Sequence, residues 1–169
     1  MQNNLRDKAI ISDTSCLIAL TNINKLDILK QLYDEIIITP EVAAEYEQAL
    51  PEWIIAQDVK NKDAVAEILK INLGIGESSS IALAMETRNA VLILDDERAR
   101  NYARKKGLPI IGTLTIIGRA CDLGYIESYE EACEELRKVN FRFSSQLQEE
   151  IKRSTITDKS AQEAGEKTK

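Results

Sequence analysis

The chain has 169 residues, with 22 Lys and Arg against 28 Asp and Glu, a net charge of −6 and an apolar share of 44%. That balance excludes a disordered or fibrous chain over most of the length. There is no histidine, which excludes Ser-His-Asp and Cys-His nucleophiles, histidine acid–base chemistry and the usual His-bearing zinc sites.

In chain order, Ala9–Ser12 is a short apolar run ending at Asp13 and reads as a first strand. Leu17–Leu20 opens a helical stretch that Leu26, Leu29, Leu32 and Tyr33 continue at helical spacing. Ile36–Ile38 is β-branched and reads as a second strand. Thr39-Pro40-Glu41 starts a helix, with Thr as N-cap and Pro at the first position. Pro51–Val59, which holds Trp53, is ambiguous and fits an extended connection. Asn61 or Lys62 to Leu73 is helical, with Val65, Ile68, Leu69 and Leu73 on one face, and Gly74 and Gly76 are expected to break it.

Ser78–Arg88 forms the next helix, of small and apolar residues. Val91–Leu94 is an apolar run of the kind buried on both faces of a parallel sheet. Asp95–Lys106 is a basic amphipathic helix, Pro109–Ile111 a short strand, and Thr113–Leu123 a helix stopped by Gly124. Tyr129–Val139 and Ser144–Arg153 are two more helices. Residues 1–153 are read as one domain, and 154–169 as a polar mobile tail without apolar periodicity. Leu26–Tyr33 and the Trp53 region read as core packing before self-association. Cys16, Cys121 and Cys133 form no CxxC pair and read as small hydrophobes of a reducing cytosol. No apolar run approaches the roughly 18 residues that cross a bilayer, and no signal-peptide core follows the first residues. The expectation is a cytoplasmic protein with no membrane contact.

Strands alternating with helices predict an α/β fold with a mainly parallel sheet and right-handed crossovers. Ligands of such sheets bind outside the carboxyl ends of the strands. The acids gather there. Asp13 is the first residue past one strand, and Asp95 and Asp96 directly follow another. Glu45 lies one turn into the helix after the second strand, and Glu77 follows a glycine break. Clustered carboxylates repel, so one takes up a proton unless a cation neutralises the group. An all-oxygen site without histidine suits Mg2+ or Mn2+. Each acid also has a structural reading: Asp13, Asp95, Asp96 and Glu77 as helix caps or first-turn acids, and Glu45 on a solvated helix face.

The order and spacing of these pieces resemble the PIN-domain family. Asp13-Thr14-Ser15 follows a strand, Pro40 stands five residues before Glu45, and Gly76-Glu77-Ser78 heads a small-residue helix. Leu94-Asp95-Asp96 is followed by Arg98, Arg100, Gly107-Leu108-Pro109 and Gly112-Thr113. The branch with this GES…LDD…GLP…GT pattern is toxin-like, and the resemblance runs from Lys8 to Ile126. It implies a three-layer α/β/α fold and a metal-dependent ribonuclease, often the toxin half of a toxin–antitoxin pair. It places the family's acids on Asp13, Glu45, Glu77 and either Asp95 or Asp96, and its small hydroxyl residue on Thr14 or Ser15. Many relatives carry Asp where Glu77 stands.

On this scheme Asp13, Glu77 and Asp95 or Asp96 hold one or two Mg2+ or Mn2+ ions, and Glu45 either ligates or acts as a general base. An RNA substrate needs positive charge nearby. Arg98, Arg100, Arg104, Lys105 and Lys106 share one helix, and Arg98 and Arg100 are the expected phosphate contacts, ahead of Arg119. The resemblance also implies a homodimer and a small antitoxin partner. Two other readings compete: a non-catalytic partner- or RNA-binding module on the same fold, and a receiver-like Mg2+-binding signalling domain. The second wants a Lys at the end of the last strand, where this chain has Gly112-Thr113.

Overall fold

The computed structural model describes residues 5–154. The tail expected over 154–169 therefore lies outside the described residues, except for Ser154. The elements are β1 (Ala9–Ser12), α1 (Thr14–Asn22), α2 (Ile28–Tyr33), β2 (Ile36–Ile38), α3 (Pro40–Tyr46), β3 (Ile54–Ala56), α4 (Lys62–Leu69), α5 (Ile75–Glu86), β4 (Ala90–Ile93), α6 (Glu97–Lys105), β5 (Ile110–Ile111), α7 (Thr113–Asp122) and α8 (Tyr129–Lys138). A last helix occupies 145–154.

The five strands form one sheet in the order β3-β2-β1-β4-β5, and every neighbouring pair is parallel. Parallel neighbours need crossover connections, and these are right-handed almost without exception. The chain moves outward from β1 to β3, then returns to β4 and continues to β5. That rule carries the first two connections over one face and the last two over the other, giving three α/β/α layers. All four residues of β4 are buried, as a strand covered on both faces requires. Ile11, Leu92 and Leu94 pack with Val65 and Ile68 of α4, Ile81 and Leu83 of α5, and Ala99 and Ala103 of α6 in one core cluster. Ile28, Leu29, Leu32 and Tyr33 are buried, so α2 presents its apolar residues to the core.

The helical stretch read from Leu17 on to Tyr33 is two helices, α1 and α2, parted where Asn24 turns left-handed (φ 56°), and two further boundaries differ from the sequence reading. Pro51–Val59 contains a true strand: Ile36 N donates to Trp53 O at 3.0 Å and Gln57 N to Ile38 O at 2.8 Å, which frames β3 beside β2. Three residues on a sheet edge are too few for periodicity to register. The second correction concerns Gly74 and Gly76. The break comes earlier, where α4 ends at Leu69 and Asn72 turns left-handed (φ 59°), a conformation that Asn tolerates. Gly74 is then the N-cap of α5, and Gly76 lies inside its first turn.

The described residues fall into two compact units that part after Thr113. In the second, Tyr129 Oη donates to Gln148 O at 3.2 Å, and Lys152 pairs with Glu130 at 2.7 Å, tying α8 to the last helix. Cys16 and Cys133 are buried and Cys121 is partly so, all as free thiols. Among the described residues no helix is long and apolar enough to cross a membrane.

Candidate active site

Backbone bonds bring the first and last acids together. Asp13 N donates to Ile93 O at 3.2 Å, and Leu94 N donates to Ile111 O at 3.0 Å. Asp13 and Asp95 thus leave adjacent parallel strands, β1 and β4, at their carboxyl ends. Asp13 is only 2% exposed. It caps α1, but its bonds are long: 3.1 and 3.2 Å from Ser15 Oγ and 3.5 Å from Cys16 N. None of these donors is a cation. Burial, then the charge of Asp95, push the Asp13 carboxyl well above the ordinary Asp range; the Ser15 and Cys16 bonds pull the other way. Glu77 adds to the upward push. The buried thiol of Cys16 is also pushed up, chiefly by burial and then by Asp95.

Asp95 is better held. It accepts from Thr113 N at 2.9 Å and from Thr113 Oγ1 at 2.5 Å. Burial raises its carboxyl, while the two Thr113 bonds and the Arg100 charge lower it. Arg100 folds back so that Nη1 donates to Leu94 O at 2.8 Å. A Cβ on Gly112 would stand 3.0 Å from Arg100 Nη1 and 3.2 Å from Asp95 Oδ1, so the glycine admits this close approach. Thr113→Val removes a fully buried hydroxyl that bonds a carboxylate. Its expected cost is about 1.5–3 kcal/mol near neutral pH, readable as a lower urea midpoint with unchanged slope.

The two glutamates gather around the start of α5. Glu45, near the end of α3, accepts from Thr14 Oγ1 and from Gly76 N, the latter at 3.1 Å. Glu77 reaches back to accept from Gly74 N at 2.9 Å, as in half of a capping box. Burial raises the Glu77 carboxyl, Gly74 N lowers it, and the charges of Asp96 and Glu45 raise it again. Asp96 is exposed and caps α6, accepting from Ala99 N at 2.9 Å.

The cap reading describes Asp13 and Asp96, and Glu77 is a first-turn acid bonded back to Gly74 N. Asp13 feels both Asp95 and Glu77, and Glu77 feels Asp96 and Glu45. Of the doubled aspartates, Asp95 couples to Asp13, and Asp96 couples to Glu77. Of the hydroxyls, Ser15 serves Asp13 and Thr14 serves Glu45. Arg98 is exposed, with Nη2 donating to Ile71 O at 3.1 Å, whereas Arg100 is turned towards Asp95. Arg104 is bonded to Asn101 at 3.0 Å and lies 3.5 Å from Glu97. Thr113, Gly112 and Gly76 shape the site without having been read as part of it. The signal was Gly-Thr directly after a strand and glycine directly before an acid.

Among the described residues, no three His, Cys, Asp or Glu side chains stand close enough together to hold a metal ion between them. Mg2+ does not require such a cage: it keeps several waters and takes one or two protein carboxylates. Asp13 and Asp95 meet that requirement. They are hard oxygen donors on adjacent strand ends, and Asp13 is a buried carboxylate with no cationic donor. The chemistry of this donor pair fits a hard divalent cation.

A family model described as a PIN domain matches residues 9–156. No curated protein and no solved structure matches the chain.

Proposed function

The chain belongs to the PIN-domain family, a nuclease-type fold, and from that premise we propose that it is a metal-dependent ribonuclease hydrolysing RNA phosphodiester bonds. The observation that carries this reading is Asp13: a carboxylate buried to 2% exposure, beside a second carboxylate, with no cation among its donors. A charge so buried is costly unless a proton or a metal neutralises it.

Asp13 and Asp95 would hold Mg2+ or Mn2+. When bound, a divalent cation there lowers the pKa of water and shields the charge that develops on the phosphate. Thr113 and Arg100 fix Asp95, and Ser15 steadies Asp13. Glu77 and Asp96 would add negative charge beside the pair that attracts the cation. Arg98, with Arg104 and Lys105 farther along α6 and Lys106 at its C-cap, draws the RNA backbone to the acidic rim against the chain's overall negative charge. Arg98→Ala is expected to raise KM and to lower the salt slope of RNA binding by about one, with kcat little changed.

The GES…LDD…GLP…GT pattern supports a toxin role in the cytoplasm, and with it a homodimer and a small antitoxin partner. The test is incubation of the full chain with structured RNA and Mg2+, with and without EDTA. Metal-dependent cleavage is the expected result. Intact RNA under every metal condition would overturn the nuclease reading in favour of a non-catalytic binding module.

A further inference from the structure

We propose that Gly76 is a positioning residue: its missing side chain leaves the room in which the Glu45 carboxylate locks the start of α5 to the start of α1, and so fixes the stance of Glu77. The idea rests on the ribonuclease reading for its activity arm alone.

Three chain segments meet at one carboxylate. Thr14 is the first residue of α1, Glu45 lies in the last turn of α3, and Gly76 is the second residue of α5. One Glu45 oxygen accepts from Thr14 Oγ1 and the other from Gly76 N. A Cβ on Gly76 would collide with Glu45 Oε2, lie 2.9 Å from Glu45 Cδ and 3.0 Å from Thr14 Oγ1. Glu45 cannot swing aside without releasing both donors. Gly76 is itself buried, and its amide would then lose its protein partner.

Glycine is otherwise a poor choice in a helix, and Gly→Ala there normally stabilises. The next residue is Glu77, bonded back to Gly74 in the same turn. A displaced first turn carries Glu77 with it. On this account Glu45 acts through Gly76 and Thr14, with both of its oxygens engaged in holding the helices.

The experiment is a thermal cycle on the metal-free full chain: wild type, Gly76→Ala, Glu45→Ala and the double variant. Gly76→Ala is expected to lower Tm when Glu45 is present and to raise it in the Glu45→Ala background, because the obstructing carboxylate is gone. The same change in both backgrounds would overturn the lock. Should Glu45→Ala fail to fold, Glu45→Asp withdraws the carboxylate by one methylene, and the penalty of Gly76→Ala must shrink in that background. In RNA cleavage, Gly76→Ala is expected to cost about tenfold or more in kcat with little change in KM, as for a group displaced by a fraction of an ångström. A lowered Tm with unchanged kcat would overturn the placing of Glu77. A wild-type chain that cleaves no RNA overturns the ribonuclease reading, and the thermal cycle then decides the lock by itself.

Discussion

Asp13→Asn is expected to abolish RNA cleavage and to raise the melting temperature of the metal-free protein. The substitution keeps the shape of the side chain and removes its charge. Loss of a central ligand is expected to cost at least about a thousandfold in kcat, since metal-assisted catalysis supplies several kcal/mol. The stability gain comes from burial. The folded state holds the Asp13 carboxyl above its ordinary value, so between those two values the native chain binds more protons than the unfolded one. Stability from this group is complete below the ordinary Asp range and is lost as pH rises through the raised value. Asp95 and Glu77, also raised, act in the same direction. Asp13→Asn removes the largest of these liabilities, and in a chain of this size each kcal/mol relieved adds about 2–4 °C to Tm. Thermal melts from pH 4 to 8 check this: the wild type loses stability across the range more steeply than the variant. A variant that melts lower than wild type at pH 8 would contradict the account.

Mg2+ and Mn2+ are expected to reverse that loss. A ligand that binds only the folded state stabilises it by about 2.7 kcal/mol at a hundredfold excess over Kd, which corresponds to roughly 5–10 °C here. Protons compete for the same carboxylates, so the metal-induced shift is larger at pH 7.5 than at pH 5. Asp95→Asn should remove most of it, because the pair then loses one of its two oxygen ligand groups. Asp96→Asn should leave most of it, because Asp96 caps α6 and couples to Glu77 rather than to Asp13. Melts of the three proteins in increasing MgCl2 measure both effects. Equal shifts in the Asp95 and Asp96 variants would refute the distinction drawn between them.

Much of the fold was legible in the sequence because β1 and β4 are short apolar runs that lead into acids. Ile10 and Ile11, and Val91 to Leu94, are buried as a doubly covered sheet demands. The PIN resemblance, drawn from Asp13, Glu45, Gly76-Glu77-Ser78 and Leu94-Asp95-Asp96, agrees with the family that the chain matches. β3 was less visible, since Ile54–Ala56 has only one buried residue and takes its form from pairing with β2. The start of α5 was misplaced because glycine signals a break, yet in a first turn its amide is free to bond a side chain from elsewhere. That partner is Glu45, 31 residues away, and no local pattern announces it. The same holds for Thr113, whose two bonds to Asp95 span 18 residues. Arg100 was read as a phosphate contact from its place on a basic helix. Its guanidinium donates to Leu94 O just past β4, a placing that depends on the side chain's course rather than its spacing.

The central claim is that Asp13 and Asp95 share a divalent cation, and Mn2+ makes that visible. Crystals of the chain soaked in MnCl2 should show an anomalous difference peak about 2 Å from a carboxylate oxygen of both residues, absent from Asp13→Asn crystals treated alike. A Mn2+ peak elsewhere on the molecule, and none beside these two side chains, would contradict it.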